Sequence, residues 1–268
     1  QAHEVMALAA RTPGVEPVGL HVHIGSQITT LAAFEAAYAR LAALYRELRA
    51  AGLPLRRLDL GGGLGVRYGD EPPVDPVAYA AVVRRTVGDL GAALILEPGR
   101  WLVAEAGVLV ARVVYLKSGD GRRFAILDAG MNALVRPAMY GARHPILPVA
   151  APPARPAGAE DATEEAGLVD VVGPICESSD LFGRDYRLPG LASGDLVAIM
   201  AAGAYGAVMA SDYNSRRSPA EVLVDGARWA VVRPARDVIE QMRAETMPAW
   251  LGEDQPRAAR DSGQGHDR

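Results

Sequence analysis

The sequence predicts a parallel α/β part over residues 1–106, an all-β part over 107–250 and a disordered polar tail over 251–268. In the first part short β-branched runs alternate with amphipathic helical segments, which marks parallel βα units. Beyond Gly107 the texture changes to strands separated by Gly, Asp and Pro, the pattern of an antiparallel barrel or sandwich. With 268 residues, 50% of them hydrophobic, the chain can bury one large core or two modest ones.

The elements follow in order. QAHEVMALAART opens inside a helical pattern at Gln1, without the basic start and apolar stretch of a signal peptide. Val18–Val22 reads as a strand. Leu31–Ala51 is the next helix, with Leu31, Phe34, Tyr38, Leu41, Leu44 and Leu48 at helical spacing, and Gly52 and Pro54 end it. Arg57–Leu60 is a strand, Pro76–Leu90 a helix and Ala93–Leu96 a third strand. In the second part Val108–Leu116, Arg123–Leu127, Val169–Val172, Leu196–Met200 and Val222–Val224 read as strands, with Val231–Val232 as a further short one. Ala150–Gly167 is a low-complexity surface loop.

Composition narrows the class of function. A net charge of −4 and a pI near 5.8 leave no basic stripe, which argues against nucleic acid as a partner. No apolar run approaches the ~18 residues of a membrane span. The single cysteine, Cys176, excludes an internal disulfide, so a reducing cytoplasm fits. The single lysine is Lys117.

Each of the three early strands ends in a polar cluster: His23-Ile24-Gly25-Ser26-Gln27, then Gly61-Gly62-Gly63-Leu64-Gly65, then Glu97-Pro98-Gly99-Arg100. Polar residues at the carboxyl ends of successive parallel strands are where a (β/α)₈ barrel builds its active site. Taken singly, each cluster has a plainer reading. The glycines can form a mere tight turn, Glu97 can pair with Arg100, and His23 can be structural. His21 and His23 share a strand face, but no third metal ligand stands near them in the sequence, so no metal is expected. Together the clusters fit a phosphate-bearing ligand, with glycine amides and Ser26 as donors and Arg100 as a charge-assisted clamp.

In VDVVGPICESSDLFGRDYRLP, residues 169–189, Cys176 stands beside Glu177, with Asp180, Arg184, Asp185 and Arg187 in a loop expected near a surface. A cysteine in this context reads in two ways. It is a small buried hydrophobe, or it is a neutral thiol, kept protonated by the adjacent carboxylate, that donates a proton.

HVHIGSQ, LDLGGGLGV, LEPGRWLVAEAG, FAILDAGMNALVRPAMYGARHP, CESSDLFGRDYRLP and GAYG, in this order over residues 15–250, resemble the pyridoxal-phosphate-dependent diaminopimelate decarboxylases of the alanine-racemase-like group. HIGSQ, GGG and EPGR are shared with ornithine and arginine decarboxylases, whereas RPAMYGARHP and CESSDLFGRD point more narrowly to diaminopimelate. The resemblance implies a (β/α)₈ barrel followed by a β domain, pyridoxal 5′-phosphate as cofactor, and decarboxylation of meso-diaminopimelate to L-lysine. It implies that His23 stacks on the cofactor ring, that Glu97 faces its pyridine nitrogen, and that Ser26, Gly61, Gly62, Gly63, Gly99 and Arg100 hold its phosphate. Arg100, Arg136, Tyr140, Glu177 and Tyr205 are then substrate ligands, with Tyr205 also touching the cofactor. Cys176 becomes the general acid, delivered to a partner subunit across a homodimer interface. These enzymes hold the cofactor on a lysine in a context like Tyr-Ala-x-Lys-Ala, which nothing here matches. Lys117 lies in a strand-to-turn segment and reads as a solvated charge. About 110 residues of βα pattern are also fewer than the ~250 of a whole barrel. The expectation is therefore a C-terminal portion of such an enzyme, lacking the first part of the barrel. A related decarboxylase of another amino acid and a non-catalytic cofactor- or partner-binding remnant are the competing readings.

Overall fold

In the first part of the chain, one buried stripe explains each long helix. The computed structural model describes residues 1–69, 72–119, 121–149, 167–188 and 190–252. Helix α1 (Ala2–Arg11) precedes strand β1 (Gly19–His21). Helix α2 (Leu31–Ala50) buries Phe34, Tyr38, Leu41, Tyr45 and Leu48 along one face and stops before Gly52, whose φ of +89° continues no helix. Strand β2 (Arg57–Asp59) follows, then helix α3 (Pro76–Val87). Asp75 caps α3 by accepting from the Val77 amide at 2.9 Å, and Pro76 occupies the first turn, where no donor is needed. Strand β3 (Ala93–Ile95) and the short helix α4 (Gly99–Val103) complete this part.

The strands pair in parallel in the order β1-β2-β3, with Gly19 opposite Arg57 and Arg57 opposite Ala93. Beneath them α2 and α3 meet through the rings of Phe34, Tyr38 and Tyr79. The buried Tyr38 hydroxyl donates to the Leu60 carbonyl at 3.2 Å and lies 2.8 Å from the Tyr79 hydroxyl, so the helix layer is bonded to the end of β2. Burial drives the Tyr38 and Tyr79 phenols upward from their ordinary range, which keeps this pair neutral.

The glycine run after β2 is a packing requirement. A Cβ at Gly61 would stand 2.3 Å from the Val22 carbonyl oxygen, one at Gly62 2.3 Å from that of Glu97, and one at Gly63 2.3 Å from that of Gly25. Gly61 and Gly63 also hold φ of +67° and +93°. The absence of side chains at these three positions lets the loops after β1 and β3 close onto the end of β2.

The second part contains β4 (Leu109–Gly119), β5 (Arg122–Leu127), helix α5 (Arg136–Tyr140), β6 (Ile146–Pro148), β7 (Gly167–Val172), β8 (Leu181–Leu188) and β9 (Leu196–Ile199). They form one six-stranded sheet in the order β6-β9-β4-β5-β7-β8, and its edge strands β6 and β8 contact each other. The sheet is mixed, which corrects the purely antiparallel expectation: Phe124 to Ile126 of β5 pair in parallel with Asp170 to Val172 of β7. The long connection from β5 to β7, which carries α5 and β6, makes that parallel neighbour reachable. Strand β8 forms where a loop was expected. Phe182, Tyr186 and Leu188 are buried on its core face while Arg184 and Arg187 are exposed. Its alternation is interrupted by Gly183 and Asp185, which hides it in the sequence. The six-stranded sheet has its own core of Val113, Leu127, Leu134, Phe182, Leu191 and Ile199, separate from the cluster around Phe34 and Tyr38.

The chain divides into two compact units, Gln1–Ser211 and Asp212–Arg268. In the second, β10 (Glu221–Asp225) and β11 (Arg228–Arg233) form an antiparallel hairpin that turns at Gly226, whose φ is +59°. Helix α6 (Val238–Ala244), capped by Asp237, and α7 (Ala249–Gly252) follow. The expected surface loop lies outside the described residues except for Gly167, and so does the polar tail except for residues 251 and 252. Among the described residues no helix is long and apolar enough to cross a membrane.

Gly62→Ala tests the crowding directly, because Gly62 has no unusual φ to confound the result. A methyl facing the Glu97 carbonyl is expected to destabilise the first unit by about 3 kcal/mol, read from urea unfolding by circular dichroism. Gly119→Ala, at a glycine with open space around it and no unusual φ, controls for loss of chain flexibility.

Candidate active site

Five of the expected residues converge. Ser26, Arg100, Arg136, Tyr140 and Tyr205 line one cleft of about 550 Å³, together with Gln27, Tyr68 and Arg143, which sequence reasoning missed. Arg100 enters from the first turn of α4, Arg136 and Tyr140 from α5, and Tyr205 from a loop residue with φ of +59°. The four-residue spacing of Arg136 and Tyr140 stacks them on one helix face.

Arg100 donates through Nη1 to the Tyr68 hydroxyl at 2.9 Å and through Nη2 to Ser26 Oγ at 3.0 Å, and its guanidinium lies 4.9 Å from the centre of the Tyr205 ring. The Glu97–Arg100 pair weighed from the sequence does not form. Arg136 is buried, with its guanidinium 4.6 Å from the Tyr68 ring centre. It also contacts His144: Nη1 lies 2.8 Å from Nε2, while His144 Nδ1 lies 2.9 Å from the Met200 carbonyl oxygen. Burial pulls Arg136 down from its ordinary range, and the positive charge of Arg100 acts in the same direction. Among the described residues no carboxylate pairs with Arg100, Arg136 or Arg143. The cleft therefore holds uncompensated positive charge and is built to receive anions.

Gln27 fixes the loop that carries Ser26. Its side chain brackets Val66, donating to that carbonyl at 2.5 Å and accepting from the amide at 3.2 Å, and this holds the approach to Tyr68. Gln27 and Tyr68 left a signal in the sequence, as the last residue of HIGSQ and a tyrosine shortly after the glycine run.

His23, Gly61, Gly62, Gly63, Glu97 and Gly99 sit at the same strand ends but do not line this cleft. Strand β1 ends at His21, so His23 belongs to the loop and shares no strand face with it. His21 instead meets acidic groups of the neighbouring strands: Nε2 lies 3.5 Å from Glu97 Oε2, and the ligand atoms of His21, Asp59 and Glu97 all fall within 4.8 Å of one another. The cluster thus joins His21 to two carboxylates from across the sheet, and His23 is not part of it. Asp59 is oriented by the Gly61 amide, which donates to its Oδ1 at 2.9 Å. The amides of Gly62 and Gly63 donate to no described residue, leaving two donors at the end of β2.

Cys176 is exposed, which removes its reading as a buried hydrophobe, and neither it nor Glu177 lines the cleft. Lys117 is exposed on β4. The loop carrying Cys176 is organised by Asp180, a carboxylate that is 5% exposed. Its Oδ1 accepts from the Met131 amide at 2.7 Å and its Oδ2 from the Ile175 amide at 2.6 Å. A Cβ at Gly173 would lie 2.3 Å from Oδ2, so glycine is needed there to admit the carboxylate.

Comparison with known proteins bears on this geometry. Residues 28–203 match the family model of the pyridoxal-dependent decarboxylases, C-terminal sheet domain. The diaminopimelate decarboxylase of Zymomonas mobilis is 45% identical over 244 residues, covering 90% of this chain and 55% of the relative. That of Haemophilus influenzae is 44% identical over 247 residues, 91% of this chain and 56% of the relative. The chain thus spans about half the length of the curated relatives it matches. Among solved structures, the Helicobacter pylori diaminopimelate decarboxylase complexed with L-lysine superposes with a TM-score of 0.80 at 38% identity, covering 91% of this chain and 58% of that one. The M. jannaschii enzyme in complex with L-lysine gives 0.84 at 34%, covering 93% and 56%.

Two substitutions test the geometry. Asp180→Ala removes the acceptor of two amides and is expected to cost about 3 kcal/mol in urea unfolding, and to change the rate at which iodoacetamide alkylates Cys176. The second concerns His144, whose burial pulls its pKa down to about 4 from the ordinary 6.5. Between these values the unfolded chain binds the proton that the folded chain refuses. The stability due to neutral His144 is thus complete above pH 6.5 and is lost as pH falls toward 4. At about 1.4 kcal/mol per unit this amounts to about 3 kcal/mol. Urea unfolding at pH 7 and pH 4.5 is expected to show it, with a shallower dependence in His144→Gln.

Proposed function

This chain belongs to the pyridoxal-dependent decarboxylases with a C-terminal sheet domain, and we propose that it is the C-terminal portion of a diaminopimelate decarboxylase, converting meso-diaminopimelate to L-lysine and carbon dioxide. In this reading residues 1–106 are part of a (β/α)₈ barrel, residues 107–250 are the β domain, and the protein works in the cytoplasm. The observation that carries the reading is the convergence of Arg100 and Arg136 on one cleft without a carboxylate partner among the described residues. The substrate brings carboxylates to such a site, and the cofactor brings a phosphate.

The residues at the strand ends fit that phosphate. The Gly62 and Gly63 amides have no described acceptor, and Arg100 and Ser26 are already bonded to each other at 3.0 Å. Ser26, Gly61 to Gly63, Gly99 and Arg100 would hold the phosphate, with His23 and Tyr205 against the ring. When bound, pyridoxal phosphate supplies an electron sink for the bond to the departing carboxylate. Glu97 would hold a proton on the pyridine nitrogen, because a carboxylate beside a cation favours its charged form. Arg136 and Tyr140 would take a substrate carboxylate and Glu177 the distal ammonium. Cys176 would deliver a proton to carbon once carbon dioxide has left.

The exposure of Cys176 and Glu177 outside the cleft supports their delivery to a second subunit, which makes the working unit a homodimer.

Complementation tests this function. The chain alone is expected to form no L-lysine, and borohydride is expected to trap no cofactor on it. Co-expression with a lysine-bearing diaminopimelate decarboxylase whose own proton-donor cysteine is alanine should restore L-lysine formation, and Cys176→Ala in this chain should abolish it at least a hundredfold. Faster release of carbon dioxide from ornithine or arginine would favour a relative of other specificity. Failure to associate with an intact subunit, with no turnover of any substrate, would overturn the enzymatic reading.

A further inference from the structure

Arg136 enters the cleft as a side chain only 6% exposed. A guanidinium so far out of water needs acceptors for its N–H groups and a neighbour to fix its plane. Tyr68 supplies the face, and His144 Nε2, at 2.8 Å, supplies the contact in the plane. A guanidinium can only donate, so Nε2 must accept and the imidazole proton must sit on Nδ1. The Met200 carbonyl, 2.9 Å from Nδ1, can only accept and selects the same tautomer independently.

His144 cannot drift from this position. It is 1% exposed, its ring meets Tyr68 edge-on at 5.0 Å, and its own carbonyl accepts from the Tyr186 hydroxyl at 2.7 Å. The local sequence brings it there: α5 ends at Gly141, whose φ of +61° turns the chain back beneath Arg136.

We propose that His144, held as its Nδ1–H tautomer between Met200 and Arg136, is the positioning residue that aims Arg136 at a ligand carboxylate in the cleft. An aspartate or glutamate in its place would neutralise Arg136. A neutral imidazole takes one N–H and leaves the others, with the full positive charge, for the ligand. The inference rests on the reading of Arg136 as a carboxylate ligand.

Two measurements on this chain test it. Long-range ¹H–¹⁵N correlation of the imidazoles, with His144 assigned by its loss in His144→Gln, is expected to show a protonated Nδ1 and a bare Nε2. A protonated Nε2 overturns the proposal. Glutarate then serves as a carboxylate probe, with its affinity measured by calorimetry. His144→Phe, which keeps a planar ring but no acceptor, is expected to weaken glutarate binding about tenfold. His144→Gln, which can accept from Arg136 through Oε1, should stay within about threefold of the parent. Parent-like binding by His144→Phe, equal loss in both variants, or no glutarate binding by the parent chain would each overturn it. If His144→Phe does not fold, the tautomer and the His144→Gln affinity decide. Neither readout needs turnover, so failure of the decarboxylase reading in complementation leaves this result standing, and the converse also holds.

Discussion

The contact on which the rest of the site depends is the approach of three carbonyl oxygens to Gly61, Gly62 and Gly63. The carbonyls of Val22, Glu97 and Gly25 occupy the space where three Cβ atoms would stand. Because that space is open, the loops after β1 and β3 close onto the end of β2. The closure is sealed by hydrogen bonds, from the Glu97 amide to the Gly61 carbonyl and from the Ile28 amide to the Gly63 carbonyl, at 2.9 and 2.8 Å. Ser26 and Arg100, 74 residues apart in the chain, become bonding partners as a result. Below, the Tyr38 hydroxyl ties the same strand end to the helix layer, so the cluster stands on a packed base.

The cleft is organised by neutral groups around charge. Arg100 and Arg136 share Tyr68, one through its hydroxyl and the other across its face. Two cations placed this close repel each other, and a buried charge without a counter-ion is costly. A bound anion relieves both penalties. Aromatic faces and a histidine held neutral by burial satisfy the guanidinium geometry without cancelling the charge. The Cys176 loop is arranged in the opposite way. Its buried carboxylate, Asp180, accepts from two backbone amides and orders an exposed turn, so that Cys176 and Glu177 are presented outward on a preformed scaffold.

Much of this was legible in the sequence. The β1, β2 and β3 strands and the α2 and α3 helices follow from periodicity and capping residues. The clusters after the strands stood out because glycine triplets and isolated His, Glu and Arg residues have no place in a core pattern. What escaped was either short or interrupted. Helices α4 and α5 span five residues each, too few for a helical period to register. Strand β8 carries Gly183 and Asp185 in its alternation, and the parallel pairing of β5 with β7 depends on a long connection rather than on either strand.

By itself the sequence determined the kinds of residue available at the site, the alternation that makes strands and helices, and the motifs that resemble a family, because these depend on neighbours along the chain. Only the tertiary structure decided which residues share a cleft, since Ser26, Tyr68, Arg100, Arg136 and Tyr205 come from separate segments. It alone joined Asp59 and Glu97 to His21, and placed His144 against Arg136 as a neutral acceptor. A tautomer or a counter-charge is set by whatever packs against a group in space, and that information is absent from the order of residues until the backbone has closed.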